Sequence, residues 1–419
     1  MYRNSILFIT ILGTIYSQSL MNSFGLGYTN TNFGAASVGN GSNYLTPSFS
    51  EGVSLGNPAT WRNLDFTYIH TGYDGQQVTF ENGSINQFSG LNRAQFIVPI
   101  KSKHAFGLSL TPYTFRTSEL TTQSDTTEGQ ITNKTEGGIN ALTPSIGVKL
   151  SEHESLGISY SFLFGSSRLI KSMVLESVTY GQTNRLDHSG SSIDFYIQSD
   201  RFNKESFGLN LYGHIGMTIK PISVTQYKYY LYEDNDGSGN HNTSNISSYA
   251  DFPYAGNVPP PDTLKIGETY SPYTMNFGFN YSAKQRWNIV GELGFVNNNY
   301  SDDYKKYSPL QDAISNVWHL QIGVNRFSGH LIRNWTDRFS YRSGLFSNRY
   351  TLDSSKKSII ENGFALGFGF IFGVTKNQID FSYQVGYRSG LPEIDKETFS
   401  KFSVGLSLGD LWFVKRREL

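Results

Sequence analysis

The eight histidines, at positions 70, 104, 153, 188, 214, 241, 319 and 330, are the side chains best suited to hold a metal or move a proton, and they are scattered. No two stand at zinc-ligand spacing, so no metal site is expected. The chain has no cysteine, which excludes disulfides, thiolate ligands and cysteine nucleophiles together. His214 and His319 fall on phases that would face the lumen of a strand-built wall, yet nothing singles out a serine beside them as an activated nucleophile. Neither an enzyme nor a bound cofactor is expected.

Two other runs imitate ligand sites. The stretch Glu233, Asp234, Asn235, Asp236, Gly237, Ser238, Gly239, Asn240 is rich in oxygen donors, but with Gly237 sixth in a calcium loop the first ligand would be Tyr232. A solvated turn fits better. Gly363, Gly367, Gly369 and Gly373 suggest a nucleotide fingerprint, but they alternate with Phe along a strand and open no helix. Close packing inside a sheet explains them. Glu292, Arg342, Asp380, Arg388 and Lys401 are charged residues opposite apolar neighbours, and pairing across an interior is their expected role.

The elements that would position these residues are strands. Across 419 residues there are 27 Tyr, 30 Phe and 42 Gly, with only 16% charged, a mixture that favours curved sheet and membrane interfaces. Lys plus Arg equals Asp plus Glu at 34 each, so no nucleic-acid partner is implied. Arg3 precedes the apolar run Ile6 to Tyr16 and then Ser17, Gln18, Ser19, which reads as a secretory leader over 1–19, cleaved after Ser17 or Ser19. Beyond it no run of about 18 apolar residues occurs, so a membrane-spanning helix is excluded on length.

From Leu64 the period is two. Ile379, Phe381, Tyr383, Val385 and Tyr387 alternate with Asp380, Ser382, Gln384, Gly386 and Arg388, and the row Phe364, Leu366, Phe368, Phe370, Phe372 faces away from Ala365, Gly367, Gly369, Ile371. A soluble sandwich would carry charge opposite that aromatic row. A lipid-facing row beside a crowded lumen carries none. Fourteen such segments can be counted: Leu64 to Tyr73, Leu91 to Ile100, Ala105 to Arg116, Ala141 to Ser151, Leu156 to Phe164, Ser206 to Ile219, Ile222 to Tyr232, Tyr273 to Ala283, Trp287 to Val296, Asn316 to Phe327, Phe339 to Phe346, Gly363 to Val374, Ile379 to Arg388 and Phe399 to Leu408. Short connections (Lys101 to His104, His153 to Ser155, Lys220 to Pro221, Lys284 to Arg286, Lys376 to Gln378) tend to alternate with long ones such as Gly165 to Glu205 and Glu233 to Ser271. That alternation marks an all-β, antiparallel transmembrane barrel with its short turns in the periplasm. The rival is a secreted or periplasmic β-sandwich.

The run from Gly25, Leu26, Gly27 to Gly56, Asn57, Pro58, Ala59, Thr60 resembles the hatch of FadL/TodX-type outer-membrane transporters, with Asn57, Pro58 and Ala59 as its motif just before the first strand. The resemblance implies a 14-stranded barrel over 64–409, an N-terminal plug over 20–63 and a periplasmic tail over 410–419, located in the outer membrane of a Gram-negative cell. It also implies passive uptake of long-chain fatty acids or aromatic hydrocarbons, the partners being hydrophobic small molecules or lipids. In the third segment the apolar phase Phe106, Leu108, Leu110 jumps to Tyr113, Phe115, so a bulge or kink is expected at Thr111 and Pro112, near Gly107. The family's third strand is similarly kinked, which implies lateral release there; a bulge near the rim would be the plain alternative. Two other functions fit a barrel: a general porin, or a FadL-shaped accessory of a protein-secretion complex. The carboxyl end departs from the terminal-aromatic pattern, with Trp412, Phe413 followed by Lys415, Arg416, Arg417.

Overall fold

The computed structural model describes residues 19–410 except 31–32, 82, 84, 101–103, 124–129, 203–206, 236, 238–240, 242–249, 284–285, 309, 330–333 and 393–395. The leader to residue 18 and the tail from 411 lie outside the described residues, as do parts of the connections at 101–104, 233–271 and 284–286.

Fourteen antiparallel strands close into a barrel. They are β1 (Thr67–Phe80), β2 (Ile85–Ile100), β3 (His104–Phe115), β4 (Gln130–Lys149), β5 (Glu154–Leu175), β6 (Val178–Ser199) and β7 (Phe207–Lys228). The second half comprises β8 (Tyr273–Ala283), β9 (Trp287–Asn297), β10 (Ile314–Arg326), β11 (Phe339–Leu352), β12 (Ser358–Phe372), β13 (Asn377–Ser389) and β14 (Lys396–Asp410). Closure is made by β14 on β1, from Asp410↔Thr67 to Glu397↔Phe80. A closed sheet leaves no unpaired edge, and that is the condition for strands to cross hydrocarbon.

Burial runs opposite to a soluble protein's. On β9 and β10, Trp287, Ile289, Leu293, Trp318, Leu320 and Ile322 are each about half exposed, while Asn288, Glu292, Gln321 and Asn325 are buried. Apolar side chains line the outside and polar ones meet inside, as period two across a lipid-facing wall requires.

The strand number matches the expectation through two compensating differences. The expected loop Gly165 to Glu205 is instead the upper part of β5, a two-residue turn at Glu176–Ser177, and β6. Both turn residues have positive φ, 47° and 71°, the geometry of a tight hairpin, but neither is the usual Gly or Asn. Conversely, the expected turn at Lys220 to Pro221 is no turn, because β7 runs through it. Pro221 has no partner on β6, where the pairing skips from Ser191↔Lys220 to Ser189↔Ser223, so a residue without an N–H is tolerated at a register irregularity.

Candidate functional site

The described residues between 19 and 66 contact the inner face of strands all around the barrel and so lie within its bore. Three grips hold them. Glu292 Oε2 on β9 accepts from the backbone N–H groups of Tyr44 and Leu45, both at 3.0 Å. Arg342 on β11 pairs with Asp380 on β13 at 2.8 Å and also donates to the carbonyls of Ser48 (2.7 Å) and Phe49 (3.3 Å). The short helix α1 (Ala35–Gly39) rests on β12, where a Cβ on Gly39 would come within 2.5 Å of Gly367 Cα. Of the five charged residues named from the sequence, Arg342, Asp380, Arg388 and Lys401 pair along the wall, between neighbouring or next-nearest strands, with Lys401 on Asp74 at 3.0 Å; Glu292 takes backbone N–H groups instead, and it and Arg342 clamp the segment inside. That clamping has no signature in either partner's local sequence.

Asn57, Pro58 and Ala59 begin a 3-10 turn, Pro58–Asn63, at the short-turn end. Asn57 caps it, accepting from Ala59 N at 3.0 Å while its amide donates to Leu45 O at 2.9 Å. Proline first in the turn sacrifices no hydrogen bond. The turn nests on the paired glycines Gly147 and Gly157, and Gly107 lies beneath the Trp61 ring. Gly147→Val tests that nesting. Valine suits a strand by up to about 1 kcal/mol, but its Cβ would strike the Pro58 carbonyl oxygen. A loss of about 1–3 kcal/mol is expected, read as a lower melting temperature in detergent and faster proteolysis near residue 58.

Thr111 and Pro112 border a gap in the wall's hydrogen bonding. β2 and β3 pair from Ile100↔His104 only as far as Ala94↔Leu110. Beyond that point, among the described residues, β2 continues to Ile85 paired with β1 alone, after a register shift that leaves Asn92 out of the ladder. On β3 the register against β4 shifts between Pro112 and Thr114. The edge that β2 abandons is taken by the bore segment: Tyr28 pairs with Phe115 and Thr29 with Thr114, and Asn30 donates to Tyr113 O and Pro112 O, each at 2.9 Å. Phe88 of β2 reaches across to the Phe115 ring, 5.2 Å between centroids.

A cavity of about 210 Å³ lies between this seam and the bore segment. Phe33, Leu55, Trp61 and Tyr113 give it apolar walls, and Ser159 and Ser161 a hydroxyl floor. At its rim Tyr44 OH lies 3.1 Å from His214 Nδ1, whose Nε2 is 3.0 Å from Asp194. Burial first, and the Glu292 carboxylate second, raise the Tyr44 phenol well above its ordinary pKa, so it stays protonated as a hydrogen-bond donor. A serine–histidine contact lies elsewhere on the wall: Gly405, Leu406, Ser407, Leu408, Gly409 fits the Gly-x-Ser-x-Gly pattern, and Ser407 Oγ is 2.8 Å from His70 Nδ1. It lies within β14 instead of at a strand-to-helix turn, and His70 Nε2 has no hydrogen-bond partner, so the elbow and the orienting carboxylate are both missing.

The long-loop end is covered by the described residues of 298–313, including α2 (Asp302–Lys305). Tyr300 and Tyr304 pack with Leu26, Ile139 and Leu163. Arg116 pins this cover, donating to Tyr304 OH and Ser167 Oγ at 2.9 Å and to Tyr307 O at 2.5 Å. Lys305 also pairs with Asp353 in the turn after β11, and Lys305 and Lys356 hold the Asp353 carboxyl below the usual aspartate range. A depressed folded-state pKa means that this clip is fully present above the ordinary aspartate value and is lost as pH falls through the depressed one. Hydrogen-exchange protection of 298–313 is therefore expected to drop selectively in acid, while the bore segment keeps its own.

A closed fourteen-stranded barrel, apolar outside and with its own N-terminal segment against the inner wall, has the fold of the FadL-type barrels. CymD, described as a monoaromatic hydrocarbon channel, superposes with a TM-score of 0.57 at 11% identity, covering 91% of this chain and 98% of that one. A Pseudomonas aeruginosa FadL homologue gives 0.53 at 13% (92% and 98%), and the Ralstonia pickettii toluene transporter TbuX 0.53 at 8% (91% and 99%). In sequence the BamG family model matches residues 1–418, and the chain belongs to the BamG family. The FadL/TodX resemblance holds at the level of fold. No curated protein matches the chain.

Proposed function

We propose that this protein is a passive outer-membrane channel for small hydrophobic compounds, with residues 20–63 as its stopper and the β2–β3 seam as a lateral exit. The observation that supports it most is the cavity bounded on one side by the bore segment and on the other by Thr111, Pro112 and Tyr113 at the seam. A cavity of roughly 150 Å³ accommodates a benzene-sized guest, so the closed state has room for a single aromatic ring and not for an extended acyl chain. The CymD and TbuX descriptions point to the same size class.

Leaving sideways is downhill for such a guest, since each methylene gains roughly 0.8 kcal/mol on passing from water into hydrocarbon. The filled bore weighs against an open porin. Uptake of radiolabelled toluene and of a long-chain fatty acid would be compared in cells with and without the gene. Faster energy-independent toluene entry with the gene is expected; equal rates for both compounds, or steady ion conductance of the purified protein in planar bilayers, would overturn the reading.

A further inference from the structure

On the outer face of the wall, at the long-loop end, strand register brings two cations onto one row. Arg349 on β11 faces Ile360 on β12, Ile360 faces Ser389 on β13, and Ser389 faces Lys396 on β14. Both cations are exposed. Trp318 of β10, half exposed, continues the row beyond Arg349, and the Tyr387 ring centre lies 6.0 Å from the Lys396 ammonium. Outward tryptophan and tyrosine mark the level where hydrocarbon gives way to headgroups. Neither cation has a carboxylate partner among the described residues; Arg349 donates to Ser358 Oγ at 3.1 Å. Lys356 and Lys357 add charge in the turn between β11 and β12. Nearby acids do little to cancel it, since Asp353 is shared by Lys305 and Lys356, and Glu361 and Glu397 face inwards to Arg388, which leaves Glu81 in the turn after β1.

Below the row the outward residues change in tiers. One step down, Ser347, Asn362 and Thr398 offer hydrogen-bonding groups beside Tyr387. A further step down, Leu345, Phe364 and Val385 border a groove of about 660 Å³. Charge, then polar groups, then an apolar trough is the order of parts in an anionic amphiphile. We propose that this face holds a phosphorylated glycolipid of the outer leaflet, with phosphate against Arg349 and Lys396, sugar on Asn362 and Thr398, and an acyl chain in the groove. Three strand intervals set the two cations about 14 Å apart, a span that a sugar-based head bridges and a single phosphodiester does not. The inference rests on an outer-membrane barrel with its long loops outside, and is independent of what the channel carries.

Full-length protein extracted from outer membranes and stripped of lipid would be titrated in detergent with lipid A, with lipid A freed of its phosphate, and with phosphatidylglycerol, bound lipid being counted by native mass spectrometry. Each Lys or Arg beside an anionic headgroup contributes about fivefold, so a preference of about 25-fold for the phosphorylated glycolipid over either alternative is expected. Arg349→Ala with Lys396→Ala should erase it, while heat-shifted gel mobility reports that the barrel is folded. Equal binding of lipid A with and without phosphate, phosphatidylglycerol bound as tightly, or an unchanged preference in the folded double variant would overturn the proposal. The wild-type comparison decides the matter even if the variant does not fold. Orientation is read separately from Ser355→Cys in the exposed turn, which a membrane-impermeant maleimide should label on whole cells; labelling only after lysis would overturn the outer-leaflet placement.

Discussion

Cysteines placed at Thr29 and Thr114 are expected to form a disulfide that reduces uptake to background, with uptake returning on reduction. The two positions are register partners in antiparallel pairing, where Cα atoms are about 4.5–5.5 Å apart, inside the range a disulfide spans. The chain has no native cysteine to compete. The bond would tie the bore segment to the only part of β3 that β2 leaves without a partner, so a guest could no longer part the two. The wall's backbone ladder is unaltered, and because Thr29 lines the cavity, the reduced double variant is the control for the substitutions themselves. Full uptake by the oxidised variant, with the cross-link verified by mass, would remove the seam from the route.

Arg342→Ala should produce the largest loss of stability. Its guanidinium is wholly buried and holds Asp380 together with the carbonyls of Ser48 and Phe49. Truncation leaves Asp380 with Gln378 as its remaining donor, frees the Ser48 carbonyl and leaves the Phe49 carbonyl to Gln378 alone. Breaking a buried pair from one side costs about 3–5 kcal/mol, and here the cost falls on the seating of residues 45–55, because the strand hydrogen bonds are untouched. Rapid proteolysis of that stretch and new ion leakage in planar bilayers are expected. Replacing both charges, Arg342→Met with Asp380→Leu, should recover much of the lost stability, since apolar groups of similar volume leave no orphaned charge. A double variant as unstable as the single one would show that the pair is not the cause.

The wall was legible wherever hydrocarbon lies on one side and packed polar groups on the other. Trp287–Asn297, Ile314–Arg326 and Asn377–Ser389 alternate because both environments act on them at once. β6 is marked only at its end, where Ile193, Phe195 and Ile197 alternate with Asp194, Tyr196 and Gln198; over Val178 to Ser189 polar residues occupy both faces and the period has nothing to record. Lys220 to Pro221 looked like a turn because proline usually ends a strand, and only the partner strand reveals the bulge that accepts it. Within the bore, the Asn57-Pro58-Ala59 turn was visible as a motif, but its glycine floor was not. Gly147 and Gly157 come together only through strand pairing, and Glu292 and Arg342 meet backbone groups more than two hundred residues away.

β5, β6 and β7 each run for 22 residues, against the roughly 9–11 that a tilted strand needs to cross a bilayer. About half of each stands clear of the hydrocarbon, while β13, at 13 residues, barely clears it. The rim is thus a tall parapet on the flank of β5 to β7 and a low sill at β13, which leaves the approach from outside less walled on that side. Any loop, sugar chain or neighbouring protein that leans on the parapet would narrow that approach without touching the bore.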